Sequence, residues 1–340
     1  MSTGTADNAA PRRASPARRA VQLLLGAVLL LVLWRLRDVA LISFAAIIAA
    51  ALLRGLAHPV VRYTRLSSRV AIVVVIVALV ILMLAALWLT GQPMLRQLQE
   101  LRSTVPRAWA TALGWLQAQP FGPQLLNWLD SGGELKVPWD RVAGVASAAT
   151  TALADVFLVA LLGIYLAFDP RLYREGFLHL VPPSRRAEIG AALSASGEAL
   201  QRWLLGQGLT MVIVGTTVGV GLELLGMPIA AAMGFIAGLL EFVPFFGAIA
   251  WALLGTLLAF AQGPTQALHV AIFFLVIQQL EGNVVIPMVQ RWAVQLPPVL
   301  SLLAVVVFGT LFGVEGVILG TPLMVVAVVL IRKLYVDHLG

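Results

Sequence analysis

GMPIAAAMGFIAGLLEFVPFFGAIAWALLGTLLAFAQ, residues Gly226 to Gln262, is apolar along its length yet broken in its middle, where Glu241, Pro244 and Gly247 stand close together. The arms on either side, Ile229 to Val243 and Ala248 to Gln262, have 15 residues each. At ~1.5 Å of rise per residue such an arm reaches about 22 Å, whereas a hydrocarbon core of roughly 30 Å needs about 20 residues. Two short arms around a Pro and a Gly predict a re-entrant helical hairpin, one that dips into a bilayer and leaves on the side it entered. Its tip puts a carboxylate and irregular backbone near mid-membrane. Lipid offers no hydrogen-bonding partner there, so the tip has to be packed in protein or line a wet cavity. A transport site is the functional expectation.

The rest of the chain agrees with a membrane setting. Its 340 residues are 60% hydrophobic and 11% charged, and the mean hydropathy is +0.94. That is more apolar surface than a soluble domain can bury, so the fold class expected is an all-α polytopic membrane bundle. The net charge of +7 comes from arginines clustered between apolar runs. They do not line one polar face, so they read as topology signals, and no nucleic-acid partner is expected. The absence of cysteine excludes disulfides, thiol catalysis and cysteine-ligated metals. His58, His179, His269 and His338 lack metal-ligand spacing, so no metal and no cofactor are expected. HExxH, GxSxG and GxxxxGK[ST] motifs are missing, and Ser301 or Thr310 beside a carboxylate makes only a weak case for an enzyme. The chain reads as a non-enzyme.

Taken in order, residues 1–19 are rich in Ala, Ser, Pro and Arg and read as a disordered cytoplasmic tail. Ala20 to Trp34 has the hydrophobic core of a signal peptide without a cleavage site, so it reads as a retained first span. A second span covers Asp38 to Leu53. The connector after it turns at His58-Pro59 and carries Arg54, Arg62, Arg65 and Arg69, which mark it as cytoplasmic. The third span is Val70 to Thr90. Residues 91–141 then form an extracytoplasmic insertion, in which Leu95, Leu98, Leu101, Val105, Trp109, Leu113 and Leu116 follow helical spacing. Its apolar face is open to lipid, to the spans or to a neighbouring subunit. A fourth span, Val142 to Phe168, completes a scaffold over 20–168. Residues 169–205 read as a cytoplasmic amphipathic segment in which Ser184 caps a helix.

The unit 206–335 carries the expected transport machinery. A fifth span, Gly206 to Met227, leads into the broken stretch 229–262, and Pro264 to Gln290 forms the next span, ending at Arg291. A second broken stretch, 298–331, follows, with Gly313-Val314-Glu315-Gly316 at its break and Arg332-Lys333 at its end. The two stretches align without gaps at an offset of 69 residues, which places Pro228 on Pro297, Pro244 on Gly313 and Gly247 on Gly316. Each follows a full span, and the charges assign them to opposite faces. The pattern predicts an inverted repeat with a site at the repeat interface. The plainer reading is that small residues recur in apolar spans for packing.

Ionisable groups in such segments cost roughly 2.5 to 3.5 kcal/mol at a helix centre, so Glu241, Glu281 and Glu315 are the candidate substrate- or ion-binding groups. Asp155 in the fourth span is a fourth candidate, with a simple inter-helix hydrogen bond as the plainer reading, and Glu223 lies near a span end where it reaches water. Glu281 sits in QQLEGNVVIP with Gln278 and Asn283. On an ideal helix these three do not share a face, being about 300° and about 200° apart, unless Gly282 and Pro287 loosen the helix. Such carboxylates either bind protons, cations or a polar solute during a cycle, or stay neutral and tie helices together.

The segments GMPIAAAMGFIAGLLEFVPFFGA, QQLEGNVVIPMVQ and PPVLSLLAVVVFGTLFGVEGVILGTPL resemble the signature segments of the AI-2E family of bacterial membrane transporters. The resemblance is specific over most of 226–323 and generic elsewhere. It places Glu241, Pro244, Gly247, Glu281, Gly282, Asn283, Pro287, Pro298, Gly313 and Gly316 at the family's patterned positions. Phe245-Phe246 departs from it, since a Tyr often follows the Pro. The resemblance implies a permease of the bacterial inner membrane, with both termini cytoplasmic by the charge pattern, that assembles as a homo-oligomer. Some members are described as exporters of autoinducer-2 and others as sodium/proton antiporters.

The expectation from residues and resemblance together is a secondary transporter of a small polar solute, working by alternating access at two hairpin tips. The alternative within transport is cation/proton exchange. The alternative of another class is a non-transporting membrane scaffold or sensor built on 91–141.

Overall fold

The computed structural model describes residues 35–130, 139–290 and 296–338. The tail 1–19, the first span 20–34 and Arg291 lie outside the described residues. Every regular element among those described is helical, and no strand is present among them. Five helical stretches are long and apolar enough to cross a membrane, which makes the protein an all-α polytopic membrane bundle.

The first element, α1 (Arg37–Thr64), runs straight through the expected turn at His58-Pro59 and stops at Arg65, whose backbone is left-handed at φ 58°. Pro59 lies inside the helix with its ring exposed and removes the helical partner of the Gly55 carbonyl. Ser67 caps α2 (Ser68–Gln117) by accepting from the Val70 N–H. This 50-residue helix does not end at Gly91. It carries the third span and the amphipathic stripe on one rod of about 75 Å, well over twice a hydrocarbon core. The Gly and Pro at its middle cost about 1 and 3 kcal/mol, and contacts made by its far half offset them. Gln97 Oε1 accepts from the Ala232 N–H at 2.9 Å, Trp115 meets Phe260 at 5.7 Å, and Val105 packs on the largest core cluster.

After α3 (Gly122–Asp130), α4 (Trp139–Phe168) packs on α1. Contact is close because a Cβ on Gly163 would lie 2.7 Å from Ala49 Cβ. Next come α5 (Pro170–His179), a 3-10 turn at Pro183–Arg185 and α6 (Arg186–Leu224). Ser184 is not the cap: it lies inside the 3-10 turn, and α6 starts at Arg186 with no side-chain cap hydrogen bond. The part of the amphipathic segment from Arg186 onward and the fifth span are therefore one continuous helix.

The broken stretch forms α7 (Ala230–Leu240) and α8 (Phe246–Ala259), two arms packed against each other. The α7 arm lies on α6 along a glycine seam, in which a Cβ on Gly234 would meet Gly215 O and Gly219 Cα at 2.7 Å each. The Phe260–Gln262 turn leads to α9 (Pro264–Leu280), a π-helical turn at Glu281–Val285 and α10 (Ile286–Gln290).

The last helical stretch, α11 (Pro298–Leu334), contains one non-helical residue, Gly313 at φ 67° and ψ −143°. A Cβ on Gly320 would lie 3.0 Å from the Ala304 carbonyl oxygen. Sixteen residues of straight helix would separate the two by about 24 Å, so the chain doubles back at Gly313 and 298–312 lies against 314–334. One core cluster joins α6, α7, α8 and α9, and another joins α6 to the second arm of α11 through Trp203, Leu204 and Val325.

Candidate functional site

Glu241 ends α7 and is 1% exposed. Three backbone features turn the chain there. Gly247 N–H donates to Val243 O, Phe246 N–H donates to Pro244 O at 2.8 Å, and Phe245 between them has φ 65° and ψ −50°. That is a three-residue γ-turn of the rare positive-φ kind. Gly247 makes the turn possible, because a Cβ on it would overlap the Leu240 carbonyl. Two side chains hold the Glu241 residue itself. Trp251 Nε1 on α8 donates to Glu241 Oε2 at 2.9 Å, and Gln207 Nε2 on α6 donates to the Glu241 backbone carbonyl. Trp251 is fully buried and stands edge-on to Phe274 of α9, with centroids 5.0 Å apart.

Glu281 opens the π-helical turn of α9 and is also buried. Its N–H still donates to the Ile277 carbonyl, so α9 itself sets its position, and its carboxyl stands beside that of Glu241. Glu281 Oε2 has no hydrogen-bond partner among the described residues. Two carboxyls side by side and shielded from water cannot both carry charge unless a cation or proton sits with them.

The pair opens into a cavity of about 600 Å³ between the α7–α8 tip, α6, the π-helical turn and the start of α11. Trp203, Phe245 and Pro244 give it aromatic and apolar walls, and Gln207, Thr210 and Ser301 add neutral polar groups. The composition suits a small polar ligand: apolar walls for shape and a few convergent polar groups for orientation. A second cavity, about 620 Å³, runs along the outer side of the α6–α7 glycine seam. Its walls are apolar apart from Thr216 and Glu223, so it lacks such convergence.

Of the residues named from sequence, the structure brings Glu241, Pro244 and Glu281 to one cavity and puts Gly247 beneath the turn. Gly282, Pro287, Pro298 and Ser301 line it too, whereas Gln278, Asn283, Gly313 and Glu315 do not. Gln278 is half-buried outside the cavity lining, and Asn283 is exposed and donates to the Gln279 carbonyl at 2.8 Å. Gly313 and Glu315 lie at the exposed tip of the second hairpin. Asp155 is exposed as well. Sequence reasoning missed Gln207 and Trp251. Gln207 carried a usable signal, being the one amide side chain between Gly206 and Leu224. Trp251 carried none, because an indole in an apolar arm reads as core.

A family described as AI-2E family transporter matches residues 23–335. The chain belongs to this family. A protein named "Putative transport protein YrrI" from Bacillus subtilis is 30% identical over 172 residues, 49% of this chain and 49% of its own length. One named "Putative permease PerM" from Escherichia coli is 26% identical over 240 residues, 68% of this chain and 65% of its own length. The chain spans about half the length of the first curated relatives it matches. A multi-pass membrane protein of a transporter family is what these likenesses and the apolar helices establish together.

Proposed function

We propose that this AI-2E family member is a secondary transporter of a small polar solute, bound in the cavity where Glu241 and Glu281 meet. The observation that carries the reading is the pair of buried carboxyls at the tip of a broken helix, one with an oxygen unpartnered, beside a cavity large enough for a small ligand. A polyhydroxylated solute fits its chemistry, since carboxylates accept from hydroxyls and Trp203 and Phe245 offer faces for an apolar side. Autoinducer-2, which the family resemblance suggests, is such a molecule.

In this reading the α7–α8 hairpin and the doubled-back α11 are re-entrant hairpins from opposite sides of a bacterial inner membrane, related as an inverted repeat. The shared 69-residue offset and the close-approach glycines Gly247 and Gly316 support it. Alternating access moves these hairpins against the scaffold of α1, α2 and α4. Glu241→Gln and Glu281→Gln variants in proteoliposomes should lose most solute flux, and unchanged flux in both would refute the assignment. The re-entry is tested separately with single cysteines at Gly226 and Gln262, which should label from the same face.

A second reading, cation/proton exchange, is favoured by the same direct contact between the two carboxyls. Vesicles holding the protein would then change internal pH when sodium is added, with no solute present.

A further inference from the structure

The apolar helix α4 reaches Phe168, and after the single residue Asp169 helix α5 leaves at 87° to it. A helix at right angles to a membrane-crossing one, starting one residue beyond its end, runs in the plane of the membrane interface. None of its side chains is buried. One flank is used within the chain: Arg174 donates to the Gly190 carbonyl of α6 at 2.8 Å, and a Cβ on Gly190 would meet Leu178 Cδ1 at 3.3 Å. The flank turned away from α6 carries Tyr173, Phe177 and Leu180 at i, i+4 and i+7, with Leu172 beside them. Their exposures run from 46% for Tyr173 to 84% for Leu180.

The segments around this flank carry net positive charge. Residues 54–69 and 169–188 together carry eight arginines against three carboxylates, and one of the three, Asp169, is held by Arg69 at 3.0 Å. Arg171 and Arg185 are exposed, and Arg171 stands within electrostatic reach of Arg54. A second copy of the chain, docked by the same face, would bring the same positive charge and be repelled. Anionic lipid meets both the apolar stripe and the arginines.

We propose that α5 is an interfacial helix that seats Tyr173, Phe177 and Leu180 at the acyl boundary and gathers anionic phospholipid headgroups on Arg171 and Arg185. Through Arg174 it is fastened to α6, the helix that carries Trp203 and Gln207 of the cavity. The inference is independent of what the cavity binds.

The chain has no cysteine, so single nitroxide labels report cleanly on the full-length protein in liposomes of phosphatidylglycerol and phosphatidylcholine. A label on Phe177→Cys should be more accessible to oxygen than to a water-soluble nickel complex, and a label on Glu175→Cys should show the reverse. Phosphatidylglycerol retained per chain after extraction into mild detergent should fall about fivefold for each arginine removed in Arg171→Gln and Arg185→Gln. Lysine at both positions should restore retention. Water exposure at Phe177 equal to that at Glu175, spin–spin broadening between labels of different copies, or phosphatidylglycerol retention unchanged by the glutamine variants would each overturn the proposal. No arm reads solute flux, so failure here is distinguishable from failure of the transport reading.

Discussion

The hairpin of α7 and α8 and the doubled-back α11 solve the same backbone problem with different side chains. Both turn at one residue of positive φ, Phe245 at 65° and Gly313 at 67°, and in both a glycine lies against the carbonyl of the opposing arm, Gly247 on Leu240 and Gly316 on Phe308. What they hold at the turn differs. In the 69-residue register Glu241 corresponds to Thr310 and Trp251 to Gly320. The first hairpin buries a carboxyl and gives it an indole donor. The second satisfies Thr310 locally, through its hydroxyl to the Val307 carbonyl at 2.8 Å, and brings its arms together at Gly320. A buried carboxyl costs stability, so its confinement to the first hairpin is what sets the two turns apart and what the proposed binding role rests on. The shared glycines mark what is needed merely to fold.

The largest effects should come from breaking what the hairpins share. Gly247→Val and Gly316→Val each force a side chain into backbone, with an expected cost of about 3 kcal/mol or more, read as loss of monodisperse protein and a lower unfolding midpoint in detergent. Gly197→Ala, with open space around the position, should be neutral or slightly stabilising. A Gly316→Val protein as stable as Gly197→Ala would mean that 298–312 does not lie against 314–334.

The next effect separates the hairpins. Removing the charge at Glu241 or Glu281 should lower flux at least about tenfold, the scale of a lost charged hydrogen bond, whereas Glu315→Gln at the other tip should stay within about twofold. Equal losses at all three positions would return Glu315 to the site and erase the functional asymmetry.

Residue patterns foretold the broken stretches because length, apolarity and a Pro–Gly break are local properties. They also foretold Glu241 and Glu281 as singular, since a carboxyl in an apolar run stands out whatever surrounds it. They did not foretell that the two meet, because Glu281 stands 40 positions after Glu241, and spacing within one helix says nothing about which helices pack together. Gln278 and Asn283 were drawn in as sequence neighbours of Glu281, but neither lines the cavity, and Asn283 is exposed. The continuity of α2 through Gly91 was hidden for the opposite reason. Local breakers argued for an end, and contacts with the distant Ala232 and Phe260 outweighed them.

A smaller effect tests the indole. Trp251→Phe keeps a ring against Phe274 but removes the only N–H shown donating to the Glu241 carboxyl. The expected loss is about 1 to 3 kcal/mol, read as a lower unfolding midpoint together with weaker solute binding. An unchanged protein would make Trp251 simple core and bring the first hairpin closer to the second.

The smallest effect has a sign that packing arguments do not give. Phe245 holds a backbone conformation that glycine adopts freely, and the second hairpin does use glycine at its turn, one position out of the 69-residue register. A non-glycine residue at positive φ costs about 1 kcal/mol or a little more. Its retention at the cavity wall points to a need for the ring there. Phe245→Gly should therefore hold or raise stability by up to ~1 kcal/mol, read as an equal or higher unfolding midpoint, while weakening solute binding. Phe245→Ala, which keeps the strain and loses the ring, should be the less stable of the two. If glycine proves less stable than alanine, the turn is not strained, and the ring at position 245 owes its place to packing.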